Sequence, residues 1–448
     1  MARIPEPVES LSPLEKQESL TLHIESLDAE GRGVARNPEG KVVFVEGALP
    51  DEDVDFAVLK KKLSHEFGKA TAILHESAAR RTPRCPHFGV CGGCSLQHTD
   101  ARTQMAAKQR WLEENLARIG KVEAETMLPI VYGEEWHYRR RARLGARYVP
   151  KKGGAMVGFR EKRSSYITDM RECHVLPEHV SRLILPLRDL TEKLSIRARL
   201  PQIEVAVGDN ATVLVIRHLD PLTDEDTSLL KRFAEQHSVH VWLQAGGPES
   251  ARPFHPAQSE LHYELPEFGV RLAFGPTDFT QVNHGVNRIL VARAVRLLDP
   301  QPGERIADLF CGLGNFSLPL ATRGARVIGF EGSSDLVERA RQNAALNRLT
   351  VQFEVMNLVR PNLDPYAPFD KLLIDPPREG ALEIVKALPA PWPRRIVYVS
   401  CDPATLARDA GVLVHAKGFR LAAAGVVNMF PHTAHVESIA LFERGAGQ

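Results

Sequence analysis

No stretch of this chain reaches the ~18 consecutive apolar residues of a membrane-spanning helix, and its opening, MARIPEPVES, carries no apolar signal core. Both absences lead to the expectation of a cytoplasmic protein with no membrane partner. A surplus of one charge sign is missing as well: 57 Lys and Arg face 56 Asp and Glu, a formal net charge of +1. That excludes a chain-wide cationic field, so any RNA contact has to come from local basic patches. Internal repeats and low-complexity tracts are absent, which excludes a repeat array. Cysteines are few, six in 448 residues, and unevenly placed. In a reducing compartment this excludes a disulfide framework, and their clustering points to metal binding or catalysis.

What is present is enough apolar sequence for more than one core. A chain of 448 residues with 43% hydrophobic and 25% charged content reads as a soluble globular protein of two or three domains. The first dozen residues are expected to be loose. From about residue 15 to about residue 78, alternation and turn spacing predict a small all-β unit. SLTLHIESL, GRGVARNPEGK, KVVFVEGAL and VDFAVLKKKLSHEFGKATAIL supply strands and turns for five short strands in a partly open barrel, a shape often used for oligonucleotides. Arg32, Arg36, Lys60, Lys61, Lys62 and Lys69 give it a positive tint.

The segment RTPRCPHFGVCGGCSLQH places Cys85, Cys91 and Cys94 in a C-x5-C-x2-C spacing, with glycines that let the chain wrap tightly. A fourth ligand is needed, and Cys173 in MRECHVL is the natural choice. Zinc on four thiolates and an iron–sulfur cluster are both chemically acceptable. A zinc ribbon pairs two CxxC units and the second pair is missing, so the cluster is preferred. Asp100 is placed to cap a helix over about 101–119, with Met105, Trp111, Leu112 and Leu116 on its apolar side and Gly120 at its end. WHYRRRARL then sets Arg139, Arg140, Arg141 and Arg143 beside aromatics, and GFREKRSS follows with more cations. Guanidinium forks suit phosphates and stack on bases, so an RNA-facing strand is expected there. From about 165 to 270 a mixture of strands and helices carries no recognisable chemistry.

The last third reads β-α repeatedly, through RIADLF, RVIGFEG, VQFEVMN, FDKLLIDPP and RRIVYVSCD to a final pair expected to form an antiparallel hairpin that closes the sheet. ERIADLFCGLGNF runs a strand into a turn with Gly312 and Gly314, as a doubly wound sheet does where it opens a cofactor crevice. Glu331 lies ~20 residues past Asp308, the spacing at which an acid reaches ribose hydroxyls. Right-handed crossovers put Gly312, Glu331, Asn357, Asp375 and Cys401 on one edge. Cys311, in the turn, is expected simply to pack.

TDFTQVN, DLFCGLGNF, IDPPREG, VYVSCDPATLARD and MFPHTAHVE together resemble the S-adenosylmethionine-dependent RNA uracil-C5 methyltransferases, in particular their bacterial 23S ribosomal RNA branch. The resemblance covers nearly the whole chain. It implies a multidomain α/β protein: an OB-like TRAM barrel at 12–80, an α+β central domain with the iron–sulfur site at 81–278, and a class I Rossmann-like methyltransferase domain at 279–448 on which a helix near 100–120 packs. It implies Cys401 as nucleophile, Glu437 as general base and Asp375 beside both donor and uracil. Gln281, Phe310, Asn315, Glu331, Asn357 and Asp375 are implied at the methyl donor, S-adenosylmethionine. Cys85, Cys91, Cys94 and Cys173 are implied at a 4Fe-4S cluster. A monomer with a 23S ribosomal RNA substrate and no obligate protein partner is expected.

The chemistry makes these roles intelligible. C5 of uracil is a poor nucleophile until a thiolate adds at C6, and a base must afterwards take the C5 proton. A free thiol has a pKa near ~8.5, so the site is expected to lower that of Cys401 with dipoles or cations. A target base stacked in folded RNA has to flip into the pocket. His432 and His435 are expected to hydrogen-bond their loop rather than carry protons. Asp402 and Asn428 stand where the compared ribosomal enzyme has asparagine and aspartate, which alters local bonding without removing a reacting group. Three rivals remain: a methyltransferase for an exocyclic amine, disfavoured because it needs no cysteine and Arg378 follows Asp375-Pro-Pro; a family member acting on transfer RNA or another ribosomal uridine; and a catalytically silent iron–sulfur RNA-binding or ribosome-assembly protein, disfavoured because Cys401, Glu437 and Asp375 are all present.

Overall fold

The computed structural model describes residues 21–445, so the expected loose start and the opening of the barrel domain at residue 12 lie outside the described residues. The chain forms two compact units, Met1–Arg80 and Arg81–Gln448. Among the described residues no helix is long and apolar enough to cross a membrane.

The first unit is a single sheet of six strands where five were expected: Thr21–His23, Ser26–Leu27, Gly33–Arg36, Val42–Glu46, Asp53–Lys61 and His65–His75. The extra one arises because the first run is interrupted at Ile24–Glu25. Its two halves pair in different directions, one with Asp53–Asp55 and the other with Gly33–Val34, so the sheet curls round on itself. Strand alternation then fills the interior with Leu22, Ile24, Ala35, Val43, Val45, Ala48 and Val54.

In the second unit, helix α1 (Ala101–Asn115) starts where expected, with the Asp100 side chain accepting from the Thr103 N–H. It stops being α-helical four residues short of the expected end and continues as a wider turn over Leu116–Gly120. Gly120 is what permits its docking, since a Cβ there would lie 2.4 Å from the Ala407 carbonyl oxygen. A six-stranded sheet (141–149, 154–158, 202–207, 212–217, 240–244, 252–255) carries the central region. The helical stretch of 176–194 breaks into two pieces, Glu178–Ser181 and Ile184–Lys193. Pro186 has no N–H for the residue 182 carbonyl, so the second piece restarts with Pro186 in its first turn.

The largest sheet has eight strands: β1 (Thr126–Met127), β2 (Arg305–Leu309), β3 (Arg326–Glu331), β4 (Gln352–Val355), β5 (Lys371–Ile374), β6 (Arg395–Ser400), β7 (Phe419–Val427) and β8 (Glu437–Arg444), in the order β4-β3-β2-β5-β6-β8-β7-β1. The five strands from β2 to β6 are mutually parallel, which sends their C-terminal ends to one edge. The last two form the expected antiparallel hairpin. It does not close the sheet, however: β8 inserts beside β6, and β1 adds in parallel beyond β7. That extra strand fits because Gly425 has no side chain; a Cβ there would meet Leu128 at 2.7 Å. Helices α2 (His284–Leu298), α3 (Ser334–Leu346) and α4 (Pro403–His415) cover the faces.

Candidate active site

The donor crevice begins where β2 ends. Phe310 adopts a left-handed conformation (φ 65°), and Gly312 (φ 55°) and Gly314 (φ 96°) follow in the same region. A non-glycine residue held there costs free energy and marks a turn constrained by its surroundings. Glu331, at the end of β3, accepts from the Gly312 and Ser333 N–H groups, both at 3.1 Å. These two donors fix its carboxylate beside the turn. A Cβ added at Gly312 would meet nothing within 4 Å, so the turn borders open space. Gln281 is half-buried just ahead of α2, and Asn357 is exposed beyond the end of β4, where its side chain accepts from the Val359 N–H at 3.0 Å. Asn315 is the exception among the expected donor contacts. Its amide is engaged internally, with Tyr263 Oη donating to its Oδ1 at 2.8 Å and Asn287 exchanging two bonds with it at 3.0 Å. Cys311 is buried, as expected of a packing residue.

The reacting pocket lies on the same edge. Cys401 is half-exposed between β6 and α4, and Asp402 caps that helix by accepting from the Ala404 and Thr405 N–H groups. Glu437 is buried at the first position of β8, the strand next to β6. Asp375 follows β5 directly. Burial, then the neighbouring Glu437 and Asp375, pushes the Cys401 thiol up to about 11, against a lowering effect of Arg378. Burial and Asp375 push Glu437 up to about 8, and burial alone pushes Asp375 up to about 7. The expected depression of the thiol pKa is therefore overturned. Desolvation of the thiol and repulsion from Glu437 and Asp375 outweigh the single Arg378 guanidinium.

His432 and His435 sit in the loop 428–436 between β7 and β8. His432 is buried with φ 64°, stacks on Trp136 at 3.8 Å and hydrogen-bonds Gln104, as a loop-holding residue would. His435 stands 3.3 Å from the Arg378 guanidinium. Asn428 accepts from Lys108 at 2.8 Å.

The four cysteines 85, 91, 94 and 173 are all free thiols. They are brought within electrostatic reach of one another: Cys85 feels Cys91, Cys94 feels both, and Cys173 feels Cys94 and Cys91. Among the described residues no group of three or more His, Cys, Asp or Glu side chains closes on a single metal ion. The arginines are partly turned to internal duties. Arg140 pairs with Asp209 and bonds His284, Arg141 donates to the Asp278 carbonyl, and Arg143 pairs with Glu204 at 3.1 Å while staying exposed. Arg139 lies over the Phe159 ring.

Sequence reasoning missed Gln104 and Lys108, both buried on α1. A signal was available: they fall four residues apart on the same helical face as Trp111 and Leu112, where two polar side chains have no reason to be unless they are bonded.

A parallel sheet whose strand ends bring a fixed carboxylate, a half-exposed cysteine and a buried glutamate to one crevice defines a methyltransferase-type domain. A family model described as tRNA (Uracil-5-)-methyltransferase matches residues 100–360 and 349–445, and a TRAM domain model matches residues 13–70. The chain belongs to this uracil-5-methyltransferase family, with a TRAM domain at its N-terminus. Among relatives, the 23S rRNA (uracil(1939)-C(5))-methyltransferase RlmD of Nitrosospira multiformis is 60% identical over 95% of this chain and 98% of its own length. The protein of the same name from Thiobacillus denitrificans is 61% identical over 94% of this chain and 98% of its own. A solved structure, the Pyrococcus abyssi tRNA (uracil-54, C5)-methyltransferase in complex with S-adenosyl-L-homocysteine, superposes with a TM-score of 0.74 at 25% identity, covering 94% of this chain and 99% of that one.

Proposed function

We propose that this chain methylates C5 of uracil 1939 in 23S ribosomal RNA, the reaction named for its relatives. The observation that carries the reading is the half-exposed Cys401 beside the buried Glu437 and Asp375 at the donor edge of the sheet. S-adenosylmethionine, when bound, supplies an electrophilic methyl group on a cationic sulfur. Glu331 would hold its ribose hydroxyls, with Gln281, Phe310, Asn357 and Asp375 around it. The open space over Gly312 and the backbone-fixed carboxylate fit such a ligand. Asn315 acts in this reading by holding the turn through its neighbours.

Cys401 loses its proton and adds its sulfur to C6, and the C5–C6 π pair moves to C5, which can then accept the methyl group. Glu437, as carboxylate, removes the proton left on C5. The double bond re-forms, the C6–S bond breaks and Cys401 is returned. Both groups rest protonated near neutrality, so a positive charge close to them favours their reactive forms. Arg378 supplies one such charge.

Cys85, Cys91, Cys94 and Cys173 are assigned to a 4Fe-4S cluster. In such a cluster each cysteine binds its own iron, so the requirement is four thiols around one space rather than convergence on a point. Their mutual electrostatic reach and the nearby Arg139 and Lys162 support it. RNA contact is assigned to the TRAM barrel and to the arginine strand, chiefly Arg139 and the exposed Arg143, because Arg140 and Arg141 are already tied to the protein. The division at 12–80, 81–278 and 279–448, action as a monomer, and a cytoplasmic setting complete the proposal. RNA from a strain lacking this gene should lose 5-methyluridine at one position; unchanged methylation there would overturn the assignment of the target.

A further inference from the structure

Lys108 is the one lysine among the largest fully buried side chains, at 0% exposure, on the face of α1 that packs toward β7. Burying an amine costs free energy that an apolar side chain of the same length would not incur, so its bonds have to offset it. Both bonds go to the loop that precedes Glu437. Nζ donates to Asn428 Oδ1 at 2.8 Å and to the Phe430 carbonyl at 2.9 Å. Among the described residues, His432 and His435 of the same loop feel the charge of Lys108.

The loop needs holding. It spans residues 428–436, starts next to Val427 and ends at Glu437, and those two residues face each other across the hairpin. His432 within it is left-handed, a conformation that persists only when neighbours over-determine it. One turn of α1 before Lys108, Gln104 accepts from the His432 N–H at 2.8 Å and approaches its ring nitrogen at 3.3 Å. Ser95 and Leu96 donate to the His432 carbonyl at 2.9 and 3.0 Å. Gln104 therefore grips the middle of the loop, and Lys108 grips its base, beside the strand position that carries the glutamate.

We propose that Lys108 is a positioning residue for proton abstraction: by tying Asn428 and the Phe430 carbonyl to α1, it fixes the carboxyl of Glu437 for removal of the C5 proton. The inference rests on the reading of Glu437 as the base. It separates two steps of the reaction, because Cys401 attack and methyl transfer precede the step that uses Glu437. Loss of Lys108 should leave the first two nearly intact and slow the last.

The test uses the full-length protein, S-adenosylmethionine and unmodified substrate RNA, with covalent protein–RNA adduct followed on denaturing gels. Lys108→Met keeps the stem length and removes the donor. It is expected to accumulate adduct at least about tenfold over wild type, with KM for the donor within about twofold and slowed product formation. Asn428→Ala breaks one of the same bonds from the loop side and should give a smaller accumulation. Combining the two should add less than the sum of their separate effects. If Lys108→Met fails to fold, Asn428→Ala decides by the same criterion. Resolution of the adduct at the wild-type rate, or equal slowing of its formation and its resolution, would overturn the proposal. A wild-type protein that forms no adduct even on 5-fluorouridine RNA would instead remove the reading on which the proposal rests.

Discussion

Cys401 faces Glu437 across the boundary between two adjacent strands. Ser400 pairs with Ser438 in the antiparallel ladder of β6 and β8, and Ser438 Oγ donates to the Ser400 carbonyl at 3.3 Å. Cys401 follows Ser400 where Glu437 precedes Ser438, and the Glu437 carboxyl lies within electrostatic reach of the thiol. The proximity of this thiol and this carboxyl is thus a consequence of sheet register, and a slip of one residue would turn the strand side chains to the opposite face.

The proposed mechanism assigns the two groups to different steps, which their substitution should reveal. Cys401→Ala is expected to form no covalent complex with 5-fluorouridine RNA. Glu437→Gln is expected to form the adduct on normal RNA but to release it ~10²- to 10⁴-fold more slowly. Methylation by the Cys401→Ala protein at the wild-type rate would favour an amine as the acceptor.

Adduct formation should depend on pH in one direction. Cys401 is raised to about 11 and attacks as the thiolate, whereas Glu437 enters only when the adduct resolves. The reactive fraction therefore grows with pH, and single-turnover adduct formation should climb from about pH 6 to about pH 9, by up to about tenfold per unit where one deprotonation limits. A rate independent of pH across that range would contradict the thiol's placement.

Stability carries the opposite sign. The Glu437 carboxyl is raised in the folded protein from 4.5 to about 8, so the fold binds this proton more tightly than the unfolded chain does. Its contribution is fully present below the unfolded value and is lost as pH rises through the folded one. Glu437→Gln should therefore gain stability relative to wild type on going from about pH 5 to about pH 9, on the order of a few kcal/mol. Thermal melts at the two pH values measure this, and a constant offset between the proteins would refute it.

Glu331 and Asn315 should part company. Glu331→Gln is expected to weaken S-adenosylmethionine binding about tenfold, as loss of charge-assisted bonds to a ribose would. Asn315→Ala breaks bonds to Asn287 and Tyr263 and should lower unfolding free energy by ~1–3 kcal/mol. Calorimetric titration together with melting curves separates the two; equal effects on affinity would return Asn315 to the donor.

The cysteine set makes a spectroscopic prediction. Protein prepared anaerobically should be brown, hold about four irons per chain and lose both colour and iron in Cys173→Ser. A colourless wild-type preparation with stoichiometric zinc would replace the cluster with a ribbon-like site.

Much of this molecule was legible before its structure. The strand–turn–glycine segment at 305–314 and the strand ends at Asp375 and Cys401 follow from apolar runs bounded by turn residues, a local signal. The Asp100 cap and the start of α1 were local too. Other features depended on partners far away in sequence. The hairpin was foreseen, but not that Thr126–Met127 would extend the sheet beyond it, because two residues carry no periodicity and their place was fixed by the bare backbone of Gly425. The arginine strand read as a cationic surface, yet Arg140 and Arg141 found Asp209 and the Asp278 carbonyl from distant segments.

The sequence by itself determined the family, the succession of strands and helices along the methyltransferase domain and the candidate thiol and carboxyl at its strand ends, since motif chemistry and strand periodicity are written locally. Tertiary structure alone decided how those groups are tuned. Packing Cys401 beside two buried carboxyls raised a thiol that local dipoles and cations were expected to lower, and burying a lysine of α1 under the β7–β8 hairpin tied a distant helix to the loop before Glu437. Desolvation and long-range contacts set both outcomes, and the partners that do so, Asp375 and Glu437 around the thiol and the loop 428–436 around the lysine, come from distant stretches of chain.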